Sequence, residues 1–226
     1  MVAVQVFRRS SMNDIERTFT EIYETNWWGD HESVSGPGSS LNETKNLRSQ
    51  LPKLFEQFNI TSVFDAPCGD FNWMKELSGC FDRIKYIGGD IVGDLVAQNQ
   101  IKYPDFQFVK FDLTVDTFPE VDLWLCRDFF IHLDYHDTFN MLENFANSKI
   151  KYILTNTYET EDFENYDLNT GNWRPVNLFA EPYCFPRDVL CEIDDRNPRE
   201  PLKKMCLWAR QNLTNTQFKK FDPFKG

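Results

Sequence analysis

The sequence predicts an α/β domain: a doubly wound, mostly parallel sheet with an antiparallel C-terminal edge strand. Three observations carry that prediction. Short apolar runs alternate with amphipathic segments from about residue 61 onward, aspartates close successive runs, and the last two runs lie close together in the chain.

The elements follow in order. Residues 12–25 show helical periodicity through Ile15, Phe19, Ile22 and Tyr23, and a Gly/Ser-rich loop, "WWGDHESVSGPGSS", comes next. A second helix is expected over 41–58, with Leu47, Leu51, Leu54, Phe55 and Phe58 on one face and Pro52 as a kink. "TSVFDA" reads as a buried strand and 71–80 as a helix; "KYIGGDI" is a strand and 93–102 a helix. "FQFVKFDL" and "DLWLCRD" are strands, and a helix over 135–147 has Asp134 as its cap with Asp137 three residues on. "KYILTNTY" is the fifth strand, followed by a long loop and then "DVLCEID" and "KMCLWAR" as a late strand pair. In such a sheet, ligands lie beyond the carboxyl ends of the strands.

Composition narrows the ligand. The chain has 226 residues, enough for a substantial core, and 15% are aromatic. Its formal net charge of −11 comes without any basic block, which argues against nucleic acid or anionic lipid as partner and favours a neutral or cationic small ligand. The six cysteines form no CxxC pair and read as reduced thiols. No apolar run resembles a signal peptide or approaches the ~20 residues of a membrane span, so the expectation is a soluble, cytoplasmic protein. The opening "MVAVQVFRRSS" suits a linker from a larger polypeptide.

The stretch "FDAPCGDFNWM" has the position of a nucleotide-binding turn without its glycines. Pro67 removes an amide, Phe71 obstructs close approach, and Asp65 and Asp70 repel phosphate. S-adenosylmethionine (SAM) is the opposite kind of ligand, with a sulfonium and an ammonium and no phosphate. Asp90, closing "GGDI", can take both ribose hydroxyls, and Asp112, in "FDL", can accept from the adenine amino group. Each aspartate alone could equally be a cap or turn residue. Three acids ending three successive strands point to the ligand.

Here the chain resembles the class I SAM-dependent methyltransferases, with "FDAPCGDF" in the place of the first family motif. "DAPCGDFNW", "YIGGDI", "LCRD…HL" and "TGNWRPVNL", in this order, are similar to a narrower group: bacterial methyltransferases and the glycan-modifying methyltransferase domains of chloroviruses, whose glycans carry O-methylated rhamnose. The resemblance implies a Rossmann-like fold, with residues 1–58 as a helical cap and cofactor-covering loop and 59–226 as the SAM-binding domain. It implies O-methyl transfer to a sugar hydroxyl of a glycan or glycoside, in host cytoplasm if the protein is viral. A small-molecule or peptide methyltransferase of secondary metabolism, or a non-catalytic SAM-binding domain, stays open. The cofactor set so expected is Trp28, Arg48, Asp65, Pro67, Cys68, Gly69, Asp70, Trp73, Asp90, Ile91, Asp112, Leu113 and Arg127, holding SAM and its product S-adenosylhomocysteine (SAH). Trp28 is expected to close over the cofactor and Arg48 to pair with its carboxylate.

A sugar hydroxyl must lose its proton as it is methylated, and a positioned base contributes ~10²–10⁴-fold. "LCRDFFIHLDYH" offers Asp128 and His132, either directly or with Asp128 orienting His132; the alternative is an Asp128–Arg127 ion pair beside a packed histidine. His136 lacks an evident third ligand for zinc, so no metal ion is expected, while magnesium on acidic residues stays open. The loop "YETEDFENYDLNTGNWRPVNLFAEPY" mixes aromatic and polar side chains as a polyol pocket would, making Asn165, Trp173, Arg174 and Asn177 candidate acceptor contacts; a plain lid is the alternative.

Overall fold

In the computed structural model, residues 12–159, 163–196 and 202–214 are described. The opening segment expected to be a linker lies outside them. β1 (Ser62–Asp65), β2 (Lys85–Asp90), β3 (Gln107–Lys110), β4 (Leu123–Cys126), β5 (Tyr152–Tyr158), β6 (Cys191–Asp194) and β7 (Lys203–Ala209) form one seven-stranded sheet in the order β3-β2-β1-β4-β5-β7-β6. β1 to β5 pair in parallel; β7 runs against both β5 and β6. The expected antiparallel C-terminal edge is therefore a pair, with β7 reversed and β6 outermost.

Burial on both faces explains the apolar strands. Phe64, Trp124, Cys126, Cys206 and Trp208 enter one core cluster, and their chain neighbours Val63, Leu123, Leu125, Met205 and Leu207 enter the other. α1 (Asp14–Thr25) and α4 (Tyr135–Ala146) contribute buried side chains to the first cluster, α2 (Lys45–Gln57) to the second, and α3 (Gly93–Lys102) to both. A short α5 (Arg210–Thr214) follows β7. The Asp134 carboxylate caps α4 by accepting from the Asp137 amide at 2.7 Å. The helix expected over 71–80 is instead a 3-10 segment, Met74–Cys80. Phe71 delays it, because its backbone lies in the left-handed region (φ 59°). Its ring is buried among Tyr86, Tyr103, Phe106 and Phe108. Aromatic packing holds this turn where related loops use glycine.

At the other end of the strands, Asp122 joins β1 to β4 before either has paired far. Its Oδ2 accepts from the amides and hydroxyls of Thr61 and Ser62 at 2.8–3.1 Å, and Lys151 reaches Oδ1 at 2.6 Å. Burial raises its pKa, but these donors outweigh that and hold the carboxyl far below the ordinary range. A depressed folded-state pKa stabilises the fold above the unfolded value and loses that contribution as pH falls. Asp122→Ala should lower the unfolding free energy by roughly 1–3 kcal/mol at neutral pH. Denaturation across a pH series should show the gap from wild type narrowing below about pH 4.

Candidate active site

The strand order reverses between β1 and β4, and a cleft opens at the carboxyl ends there, as open α/β sheets require. Counting its mouth, it encloses about 1060 Å³. Asp65, Pro67, Cys68, Gly69 and Trp73 line it from the β1 turn, Asp90 and Ile91 from β2, and Asp112 and Leu113 from beyond β3. Arg127, Asp128 and His132 line it from beyond β4, and Trp28 with Ile15, Phe19, Ile22 and Tyr23 of the N-terminal segment supply an apolar wall.

The acids are satisfied unequally. Asp90 accepts from the Gly69 and Val92 amides, both at 3.0 Å. Asp112 accepts from Asn13 Nδ2 at 2.6 Å and from the amide and hydroxyl of Thr114. Asn13 also caps α1, so this bond holds the helix against the cleft. Asp65 has the Tyr86 hydroxyl at 2.7 Å. Burial, with the nearby Asp90 carboxylate, pushes Asp65 up to about 7 despite that bond, and burial raises Asp90 as well. Two buried acids above their ordinary range make a site that gains from a cation.

Residues 33–39 fold over the β1 turn. Ser33 Oγ and the Val34 amide donate to Asp70, and the Asp70 amide reaches Ser35 Oγ. A Cβ on Gly69, whose φ is +55°, would lie 2.0 Å from Ser35 Oγ, so only glycine admits this approach. Asp70 thus anchors the covering loop and is not among the lining residues. Arg48 is also elsewhere, correcting its expected role: it donates to Thr44 Oγ1 and to the Leu41 carbonyl.

Beyond β4, Arg127 and Lys203 form a buried network with Asp128 and Asp195. Arg127 Nη1 also donates to the Gly38 carbonyl of the covering loop at 2.9 Å. Burial would raise Asp128, but Arg127 and Lys203 outweigh it and hold the carboxyl at about 2. So paired, Asp128 is a weak base, which corrects the expectation that it takes a proton directly. Nor does it orient His132. The Nδ1 of His132 lies 2.8 Å from the Asn172 carbonyl, which can only accept, so Nδ1 carries the proton and Nε2 of the neutral ring is bare. The imidazole lies against Trp28, centroids 4.9 Å apart and planes tilted by 30°. Burial lowers its pKa, and Arg174 adds to that; the Asn172 carbonyl and Asp128 oppose.

The expected acceptor loop faces inward. Asn165 clamps it by donating to the Asn177 and Glu181 carbonyls and accepting from the Asn177 amide. Asn177 Oδ1 accepts from the Phe179 amide. Arg174 is wholly buried, its guanidinium donating to the Leu133 carbonyl and the Tyr183 hydroxyl. Trp173 alone of the set is well exposed, at 49%, edge-on to Tyr158. Asn165, Arg174 and Asn177 are therefore internal ties, because each makes side-chain bonds to the backbone it folds. Sequence reasoning missed Lys203, Asp195 and Asn172: two are partners that only the late hairpin brings in, and the third acts through its backbone. Among the described residues, no group of three or more His, Cys, Asp or Glu side chains could hold a metal ion, and no helix is long and apolar enough to cross a membrane.

Solved structures share this architecture. The methyltransferase domain of a bacterial protein titled CtHen1 matches with a TM-score of 0.56 at 16% identity, over 74% of this chain and 100% of that one. The fold is that of SAM-dependent methyltransferases. Magnesium protoporphyrin IX methyltransferase from Synechocystis PCC 6803, with SAH bound, gives 0.59 at 12% identity, over 87% and 98% of the two chains. Human N-acetylserotonin methyltransferase, with SAM bound, gives 0.51 at 14% identity, over 87% of this chain and 65% of that one. No family model and no curated protein matches the sequence.

The His132 geometry makes a direct prediction. Nitrogen-detected NMR should find the ring as the Nδ1–H tautomer, titrating below the unperturbed value of about 6.5. A ring protonated mainly on Nε2, or titrating above that value, would contradict the assignment.

Proposed function

We propose that this protein is a SAM-dependent O-methyltransferase whose acceptor is an uncharged sugar hydroxyl of a glycan, with His132 as general base. One observation carries the proposal: an acid-lined cleft in a methyltransferase fold also holds a neutral histidine whose Nδ1 proton is fixed, leaving Nε2 able to accept.

The residues fit SAM by their chemistry. Asp65 and Asp90 are acids that a sulfonium and ammonium would compensate, Asp90 keeps lone pairs for a diol, and Ile91 and Leu113 offer apolar faces for a base. When bound, SAM supplies an activated methyl group. The chain aligns the acceptor, which is worth ~7–11 kcal/mol, and His132 Nε2 takes the hydroxyl proton. Trp28 fixes the imidazole plane and, with Phe19 and Ile22, keeps the wall apolar.

An uncharged acceptor follows from the cations. Arg127 is the one Lys or Arg among the described lining residues, and Asp128, Asp195 and the Gly38 carbonyl occupy it. A phosphate on the acceptor would meet acids instead. The sugar assignment rests on the four coupled motifs that resemble the chlorovirus glycan group. The same likeness supports one further reading: residues 1–58 act as the cofactor-covering cap of the remaining domain.

Mass spectrometry of rhamnosides and other neutral glycosides incubated with protein and SAM should show a gain of one methyl. His132→Ala should then lower turnover by ~10²–10⁴-fold with SAM affinity near wild type. Retained turnover in that variant would remove the base from the proposal.

Asp65 gives a separate test. With a pKa of about 7 it is partly protonated in neutral solution, and a bound cation favours its ionised form. SAM affinity should therefore fall as pH drops below about 7, by at most roughly tenfold per unit for one proton. Calorimetry in buffers of different ionisation enthalpy should register the released proton, and Asp65→Asn should abolish the dependence.

A further inference from the structure

The stretch between Asp167 and Arg174 wraps the segment that carries His132. The Gly171 amide donates to the His132 carbonyl at 2.7 Å and the Arg174 amide to the Ile131 carbonyl at 3.0 Å. Arg174 Nη1 donates to the Leu133 carbonyl at 2.7 Å, and the Asp134 amide donates to Thr170 Oγ1 at 3.1 Å. With the Asn172 carbonyl on Nδ1, every residue from 131 to 134 is tied to this strap.

Arg174 stands out within it. A wholly buried guanidinium is expensive without a carboxylate partner. Among the described residues Arg174 forms no ion pair; Nη2 bonds the Tyr183 hydroxyl at 2.9 Å, Nε lacks a hydrogen-bond partner, and the group lies 5.3 Å from the Tyr135 ring centroid. An apolar side chain of similar length would fill this space at less cost. What the guanidinium adds is a fixed bond beside His132 and an uncompensated positive charge.

We infer that Arg174 is a positioning residue for the base: it fixes the backbone next to His132 and keeps the imidazole in its neutral, proton-accepting form. This rests on the reading of His132 as base. The charged groups acting on the ring are Asp128, from the end of β4, which favours the imidazolium, and Arg174, from the strap, which opposes it. Without Arg174, burial alone would oppose Asp128, and the ring would hold its proton to higher pH.

Arg174→Met keeps volume and removes both the charge and the Leu133 bond. NMR of His132 in the protein with SAM bound should show its pKa raised. Turnover at neutral pH should fall by about 10²-fold, the scale of a misplaced catalytic group, with acceptor KM and SAM affinity near wild type. Arg174→Lys keeps the charge, and His132 should titrate near its wild-type value. It also serves if the Met variant folds poorly: a lysine variant whose His132 pKa rises above the wild-type value would overturn the inference. So would a folded Met variant with an unmoved pKa. Because the titration is read without turnover, it judges Arg174 even if His132→Ala proves fully active and the base assignment fails.

Discussion

The parallel pairing of β1, β2, β3 and β4 brings Asp65, Asp90, Asp112 and Asp128 to one rim, and like charges in a partly buried rim must each be compensated. The chain solves this four different ways. Asp128 takes two cations, Asp112 takes an amide and a hydroxyl side chain, Asp90 takes backbone amides, and Asp65 takes one phenol. The solutions weaken in that order, and the residual demand for positive charge collects at Asp65, on the strand paired with β4. On the proposed reaction, the cationic ligand is thereby held beside the group that takes the proton.

The cations at Asp128 also determine how the cleft is covered. Arg127 spends its remaining reach on the Gly38 carbonyl, and Lys203 comes from the start of β7. The covering loop, the β4 end and the C-terminal hairpin are thereby one electrostatic unit. Removing either cation would leave two buried carboxylates sharing the other one, which is costlier than losing a surface pair. Asp128 itself sits at φ 52°, a conformation unfavourable for a non-glycine residue, held by the Asn156 side chain accepting from its amide at 2.7 Å. Such strain persists only where surroundings over-determine it, and here both charge and hydrogen bonding do.

The sheet was legible because burial on both faces forces continuous apolar runs, and because Asp65, Asp90 and Asp112 close three of them in turn. The place of His132 was legible from the strand before it, since it follows β4. The loop at 165–177 was misread because amides and arginine are equally suited to hydroxyls of a ligand and to carbonyls of the chain's own backbone. Composition cannot distinguish the two. What separates them is the count of orphan carbonyls at 131–133, and that becomes visible only once the 3-10 turn at Phe130–His132 fails to satisfy them. Arg48 was misplaced by a similar ambiguity, since Thr44 one helical turn away is a local partner that competes with any distant carboxylate.

The strap and the N-terminal helix meet at one point. Gly171 has φ +98°, and a Cβ there would lie 2.5 Å from Thr18 Cγ2 and 3.2 Å from Ile22 Cδ1. Glycine is thus required both by the backbone and by the closeness of α1. The same residue donates to the His132 carbonyl, so the apolar wall of the cleft and the base share a bearing surface. Lifting α1 would need to break the Asn13–Asp112 and Lys110–Glu16 bonds and would withdraw Phe19 and Ile22 from the cleft. On the proposed reaction this coupling has a chemical use. Water competes with a sugar hydroxyl for an activated methyl group, and a base that works only beneath a closed apolar wall favours the acceptor that fills the space.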